Sequence, residues 1–216
     1  KRDWSSDVCS SDLSFMLISF EGTEGSGKST QVKLLSEYLK DKGHQVLVTK
    51  EPGGTPLGAM LRKLLLHEAD LDIAPITELL LYAADRAQHV TQVIRPALLA
   101  GSWVICDRFV DSTLAYQGYG RGLSLYLIDD LNRIATDGLI PHKTFYLRLP
   151  VEIGLNRVYG RSDSDRIESE SLEFHKRVQV GFDLLMEKEH CITLNADDTV
   201  SNIFDQIKNV IETNID

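Results

Sequence analysis

Eight residues near the start of the chain have the spacing that phosphate chemistry needs. Gly22-Thr23-Glu24-Gly25-Ser26-Gly27-Lys28-Ser29 reads G-x-x-x-x-G-K-[ST]. It lies between an apolar run, Phe15 to Phe20, and a segment with apolar residues at Val32, Leu35 and Leu39. Backbone N–H groups can wrap a phosphate closely only where side chains do not obstruct them, and a helix opening behind them adds partial positive charge. Residues 22 to 30, Thr30 included, are therefore the expected cradle. Lys28 supplies a mobile cation for β- and γ-oxygens, and Ser29 a hydroxyl ligand for Mg²⁺. A chance glycine turn before a helix is the plain alternative, and the complete pattern between a strand and a helix argues against it.

A second pattern is Trp103-Val104-Ile105-Cys106-Asp107-Arg108, an apolar strand ending in a carboxylate and then a guanidinium. In open α/β sheets ligands sit at the carboxyl ends of the strands, so both side chains are expected to face the glycine loop. Asp107 is placed to bind Mg²⁺ through water or to orient an acceptor, and Arg108 to hold a phosphate through two parallel bonds. Taken alone the pair reads equally well as a surface ion pair; beside a phosphate loop the functional reading is favoured.

The elements that must position these residues follow from periodicity. Strands are expected at Phe15 to Phe20, Gln45 to Thr49, Trp103 to Cys106, Lys143 to Leu149 and Cys191 to Leu194. Helices are expected at Gln31 to Lys40 (closed by Gly43), Leu57 to Leu66, Leu123 to Thr136 and Val200 to Ile211. Ile76 to Ala100 reads as one long helix with Pro96 as a possible kink. Strands alternating with helices predict a single α/β domain: a three-layer P-loop NTPase fold, its five-stranded parallel sheet covered by helices on both faces.

Further motifs, in order, are Glu51-Pro52-Gly53-Gly54-Thr55, Tyr82-Ala83-Ala84-Asp85-Arg86-Ala87-Gln88-His89, Asp111-Ser112-Thr113-Leu114-Ala115-Tyr116-Gln117-Gly118 and Asp165-Arg166-Ile167-Glu168. With the glycine loop and Asp107-Arg108 they make the chain, from about Met16 to its end, resemble the bacterial thymidylate kinases. The resemblance implies Mg²⁺-dependent transfer of the γ-phosphate of ATP to dTMP, giving dTDP on the way to dTTP. It also implies a homodimer. Arg62, Arg86 and Arg108 would meet the acceptor's phosphate and base, and Tyr82 would stack on thymine. Thr113 and Gln117 would reach base edges, Tyr116 would crowd a ribose 2′-OH, and Glu24 would lie near the acceptor sugar. A lid at about 157–168 would deliver an arginine to the transferring phosphoryl group. Gly25 stands where one subgroup places that arginine, so Arg161 is the first candidate and Arg157 the second. Without the family, Tyr82 reads as core and Arg62 as a solvated face. Kinases for another small nucleotide acceptor and non-catalytic nucleotide-binding relatives remain as alternatives. A guanine-reading Asn-Lys-x-Asp tetrad does not occur.

Several positions depart from the family pattern. Lys50 precedes Glu51 where arginine is usual, and Phe109 replaces a common tyrosine. His142-Lys143 stands in a usual Pro-Asp context, and Arg148 replaces a usual aspartate, reversing a charge near a strand end.

A formal net charge of -9 argues against general binding to nucleic acid or anionic membrane. No apolar run approaches the ~20 residues of a membrane helix. Cys9, Cys106 and Cys191 lack paired spacing, which suits reduced thiols and a cytoplasmic address. Residues 1–13, polar and aperiodic, look like an in-frame translation of a sequencing adapter or a disordered tail, and are expected to lie outside the fold.

Overall fold

A computed structural model of the chain describes residues 15–68, 71–158 and 165–213. The expectations for residues 1–13, and for Arg161 within the lid, lie outside the described residues.

The apolar run closes as β1 (Leu17–Glu21), whose five residues are all buried. It is buried on both faces because it lies at the centre of the sheet. β1 pairs in parallel with β3 (Trp103–Asp107) on one side and β4 (Lys143–Arg148) on the other. β2 (Val46–Lys50) and β5 (Cys191–Asn195) form the edges, giving the order β2-β3-β1-β4-β5. Register matters for function, because the carboxyl ends finish level: Phe20 and Lys50 both lie opposite Asp107.

Alternation along β1 divides the core. Ile18 and Phe20 face α1 (Lys28–Asp41) and α9 (Val200–Glu212), joining Leu35, Leu39, Ile203 and Ile207. Leu17 faces the other way, with Val90, Ile94, Leu98 and Phe109. Two apolar faces on one strand are the mark of a parallel sheet covered on both sides. α1 ends as expected, with Gly43 left-handed at φ 89° just beyond it.

Two expectations need correction. The helix expected at Leu57 to Leu66 is α2 (Pro56–Arg62) continued by a π-helical turn, Lys63–His67. The single long helix expected at Ile76 to Ala100 is α3 (Pro75–His89), a π-helical turn at Val90–Ile94, and α4 (Arg95–Leu99). Pro96 sits in the first turn of α4, so the irregularity falls before the proline, which has no N–H for the preceding turn. Sequence reading also passed over helices. α5 (Val110–Thr113) runs into a π-helical stretch, Leu114–Gly120. After α6 (Leu125–Thr136) come α7 (Val151–Val158) and α8 (Leu172–Leu185). α8 packs against the 114–120 stretch through Phe174, Phe182 and Tyr116.

Candidate active site

The glycine loop joins β1 to α1 in a backbone shape that side chains resist. Gly22, Gly25 and Gly27 hold φ of 144°, 70° and 89°, and a Cβ on Gly25 would collide with the backbone of Gly154. Lys28 opens α1, and its Nζ donates to Gly22 O at 3.0 Å and Thr23 O at 2.9 Å. Burial, and then the Arg108 guanidinium, push its pKa down to about 8. Ser26 Oγ donates to Thr23 O, which ties the loop to itself. Thr30 is exposed and contributes its backbone, donating to Gly27 O at 3.1 Å.

Ser29 Oγ donates to Asp107 Oδ2 at 3.0 Å, so a hydroxyl and a carboxylate meet where β3 ends beside the loop. Hard oxygen donors of this kind suit Mg²⁺, and the pair fits that ion. Arg108 follows at φ 71°, a left-handed conformation that costs a non-glycine residue about 1–2 kcal/mol. The turn sends its side chain back across the loop. Nη1 donates to Gly22 O at 2.8 Å and Ser112 Oγ at 3.2 Å, and Nη2 to Glu24 Oε1 at 2.9 Å. Tyr116 lies with its ring 5.0 Å from the guanidinium and donates its hydroxyl to both oxygens of Glu24, at 2.7 and 2.9 Å. Burial alone would raise the pKa of Glu24, but Arg108 and Lys28 outweigh it and hold the carboxyl below its ordinary value.

One cleft of roughly 310 Å³ gathers the remaining predicted residues: Arg62, Tyr82, Arg86, Thr113, Tyr116 and Gln117 line it together with Lys28, Ser29, Asp107 and Arg108. Tyr82 is half-buried, and burial raises its phenol pKa. Arg62 Nη1 donates to Pro52 O at 2.9 Å. Arg86 is more deeply held than a ligand-reading side chain needs to be. It is 2% exposed, and its nitrogens donate to Glu51 Oε2, Thr113 Oγ1, Asn132 Oδ1 and Phe109 O at 2.7–3.0 Å. Arg157 ends α7 outside the cleft wall, with Nη1 3.3 Å from Gly25 O and Nη2 3.5 Å from Asp197.

The thymidylate kinase family model matches residues 20–207. The chain belongs to the thymidylate kinase family. It is 52% identical over 199 residues to a thymidylate kinase of a Synechococcus sp., covering 91% of this chain and 94% of that one. It is 48% identical over 195 residues to the Carboxydothermus hydrogenoformans thymidylate kinase, covering 90% and 96%. A crystal structure of the Ehrlichia chaffeensis thymidylate kinase superposes with a TM-score of 0.74 at 35% identity, covering 91% of this chain and 98% of that one.

Within this family setting, Arg148 has a plain explanation. It is half-exposed and makes two parallel bonds to Asp183 of α8, Nε to Oδ1 at 2.8 Å and Nη2 to Oδ2 at 2.9 Å. The reversed charge is paired and is not among the residues lining the cleft.

Sequence reasoning missed three carboxylates that support the site. Glu21 ends β1 and accepts from Phe109 N–H at 2.7 Å and Ser112 Oγ at 2.5 Å. The rule that singled out Asp107, a carboxylate closing a buried strand, applies equally to Glu21. Glu51 holds Arg86 with one oxygen and His89 Nδ1, at 2.9 Å, with the other. Glu78 lies wholly buried on α3 beneath Gln117; nothing in its local sequence distinguishes it from an exposed helix glutamate.

Proposed function

We propose that the chain transfers the γ-phosphoryl group of ATP to dTMP, giving dTDP and ADP, in the synthesis of dTTP. Family membership carries the kinase chemistry and the acceptor. One observation carries the assignment of parts: the glycine loop and the aromatic and amide groups of α3 and residues 113–117 open onto the same cleft, with Arg108 between them.

An oxygen of the dTMP phosphate attacks the γ-phosphorus. The new P–O bond forms as the bond to the β-phosphate oxygen breaks, and ADP leaves with that electron pair. The glycine loop N–H groups and Lys28 would hold the donor's phosphates, and Arg108 the acceptor's. Ser29 and Asp107 would hold Mg²⁺, which supplies charge neutralisation on the donor phosphates. Tyr82 would lie against the thymine ring, with Arg86, Thr113 and Gln117 at its edges and Arg62 beside the acceptor. Tyr116, fixed on Glu24, would leave no room for a 2′-hydroxyl, while Glu24 keeps the sugar end. Arg157, and Arg161 in the lid, would add positive charge as the phosphoryl group moves.

The reaction is assigned to the cytoplasm; among the described residues no helix is long and apolar enough to cross a membrane. A homodimer is part of the reading, supported by the exposed Leu57 and Met60 of α2, Ile76 and Leu80 of α3, and Ile134 of α6. A coupled assay with ATP and Mg²⁺ tests the function, with dTMP as acceptor and dUMP and dCMP as controls. dTMP is expected to give the highest kcat/KM. A preference for another monophosphate would overturn the acceptor, and absence of turnover with all of them would overturn the kinase.

A further inference from the structure

Gln117 lines the cleft, but its amide is not free to turn. Nε2 donates to Glu78 Oε1 at 2.9 Å from inside the protein. Glu78 is 0% exposed, and two arginines complete its surroundings. Arg121 donates from Nε to Oε1 and from Nη2 to Oε2, each at 3.2 Å, and Arg166 Nη2 donates to Oε2. Burial works against its charge, but the bonds from Arg121, Gln117 and Arg166 prevail and hold the carboxyl below its ordinary value.

An ionised carboxylate only accepts hydrogen bonds. Turning the Gln117 amide over would set its oxygen against a Glu78 oxygen, two acceptors with no proton between them in a buried site. One N–H is therefore committed inward, and Oε1 is the acceptor the amide keeps for the cleft. A base edge meeting that oxygen must present an N–H. The 2,4-dioxopyrimidines carry one at N3; cytosine has a lone pair there and keeps its N–H donors on the exocyclic N4, so the oxygen separates the two where it meets N3.

We propose that Glu78 is a specificity-determining positioning residue: by fixing the Gln117 amide with its oxygen toward N3 of the acceptor base, it favours bases with an imide N–H over cytosine. This rests on the acceptor assignment above. Arg121 and Arg166 act in the same direction by keeping Glu78 an acceptor. Arg166 also donates from Nε to Leu65 O at 2.8 Å, which holds the far end of the 157–168 segment against the same carboxylate.

Glu78→Gln tests the proposal, because an amide at 78 can meet Gln117 in either orientation. The readout is the ratio of kcat/KM for dUMP to that for dCMP, two acceptors that differ at the base edge and share every other group. The variant is expected to lower this ratio at least about tenfold, the worth of one hydrogen bond exchanged for a repulsion, with KM for ATP within about twofold of the parent. An unchanged ratio, with both acceptors losing activity together, would overturn it and leave Glu78 a structural residue.

Should Glu78→Gln fail to melt cooperatively, the parent protein decides. Its Gln117 side-chain amide protons, assigned by their loss in Gln117→Glu, are expected to exchange with deuterium far more slowly than those of an exposed glutamine. Exchange at the exposed rate refutes the fixed amide. Should the parent fail to phosphorylate dTMP, the acceptor assignment falls by itself. Binding of dUMP against dCMP to parent and variant then reads the discrimination, and equal ratios in the two proteins would overturn the inference.

Discussion

Glu21 offers the sharpest test of how the site is supported. Its carboxylate closes β1 with no exposure, and its two partners lie in the turn that carries Arg108. Burial, and then the charge of Asp111, raise its pKa from 4.5 to about 7. Each tenfold change in proton affinity is worth about 1.4 kcal/mol, so the shift corresponds to about 3 kcal/mol. The folded state binds the proton more tightly than the unfolded chain does. The stability this contributes is thus present in full below pH 4.5 and lost as the pH rises through 7. Glu21→Gln replaces the carboxyl with a neutral group of the same shape. Its oxygen can keep the Phe109 N–H, and its nitrogen can donate to Ser112 Oγ. The variant is therefore expected to gain on the parent by about 3 kcal/mol between pH 4.5 and pH 8. Urea unfolding of both proteins across that range measures the difference. Asp85, whose pKa burial raises to about 6, is common to both and cancels. Parallel stability curves would refute a perturbed Glu21.

Four further outcomes are expected. Lys28→Ala should lower kcat at least about a hundredfold while the protein still melts cooperatively, because the ammonium charge is needed most as the phosphoryl group transfers. Arg86→Ala should destabilise the fold by about 3–5 kcal/mol in urea unfolding, since it strands the buried Glu51 carboxylate. Tyr82→Ala should instead raise KM for dTMP about tenfold, a scale set by one aromatic stacking contact, with KM for ATP unchanged. Light scattering at micromolar concentration should give twice the 24.2 kDa chain mass; the monomer mass would remove the dimer.

The legible parts of the chain were those where short-range pattern and chemistry agree. The glycine loop, β1 and the start of α1 follow from residues 15–43 alone, because a buried strand, a φ-permissive loop and an amphipathic helix each leave a local signature. α8 left one too, with Ser171 accepting from Phe174 N–H and with Phe174, Val178 and Phe182 four residues apart, yet it was passed over. The π-helical turns left no such signature in the apolar periodicity; only the one at Val90–Ile94 had a local signal, the missing N–H of Pro96 just beyond it. Arg86 and Tyr82 show the same limit within the site. Their spacing places them one helical turn apart, but it is Glu51, Phe109, Thr113 and Asn132, 23 to 46 residues away in sequence, that draw the arginine into a buried network.

The turn after β3 explains why the two halves of the cleft are not independent. Asp107 reaches the donor loop through Ser29, while Arg108, one residue later, reaches Gly22 on that loop and Glu24 beside Tyr116. A left-handed residue is needed to aim both side chains from consecutive positions. Its cost is offset by the bonds Glu21 makes to Phe109 N–H and to the Ser112 hydroxyl, which in turn accepts from Arg108. Five residues, 108 to 112, thus couple a carboxylate at the end of the central strand to both ends of the cleft. A substitution that relaxes Arg108 toward an ordinary φ would move its guanidinium away from Gly22 and from Glu24 at once, so donor and acceptor affinity should fall together rather than separately.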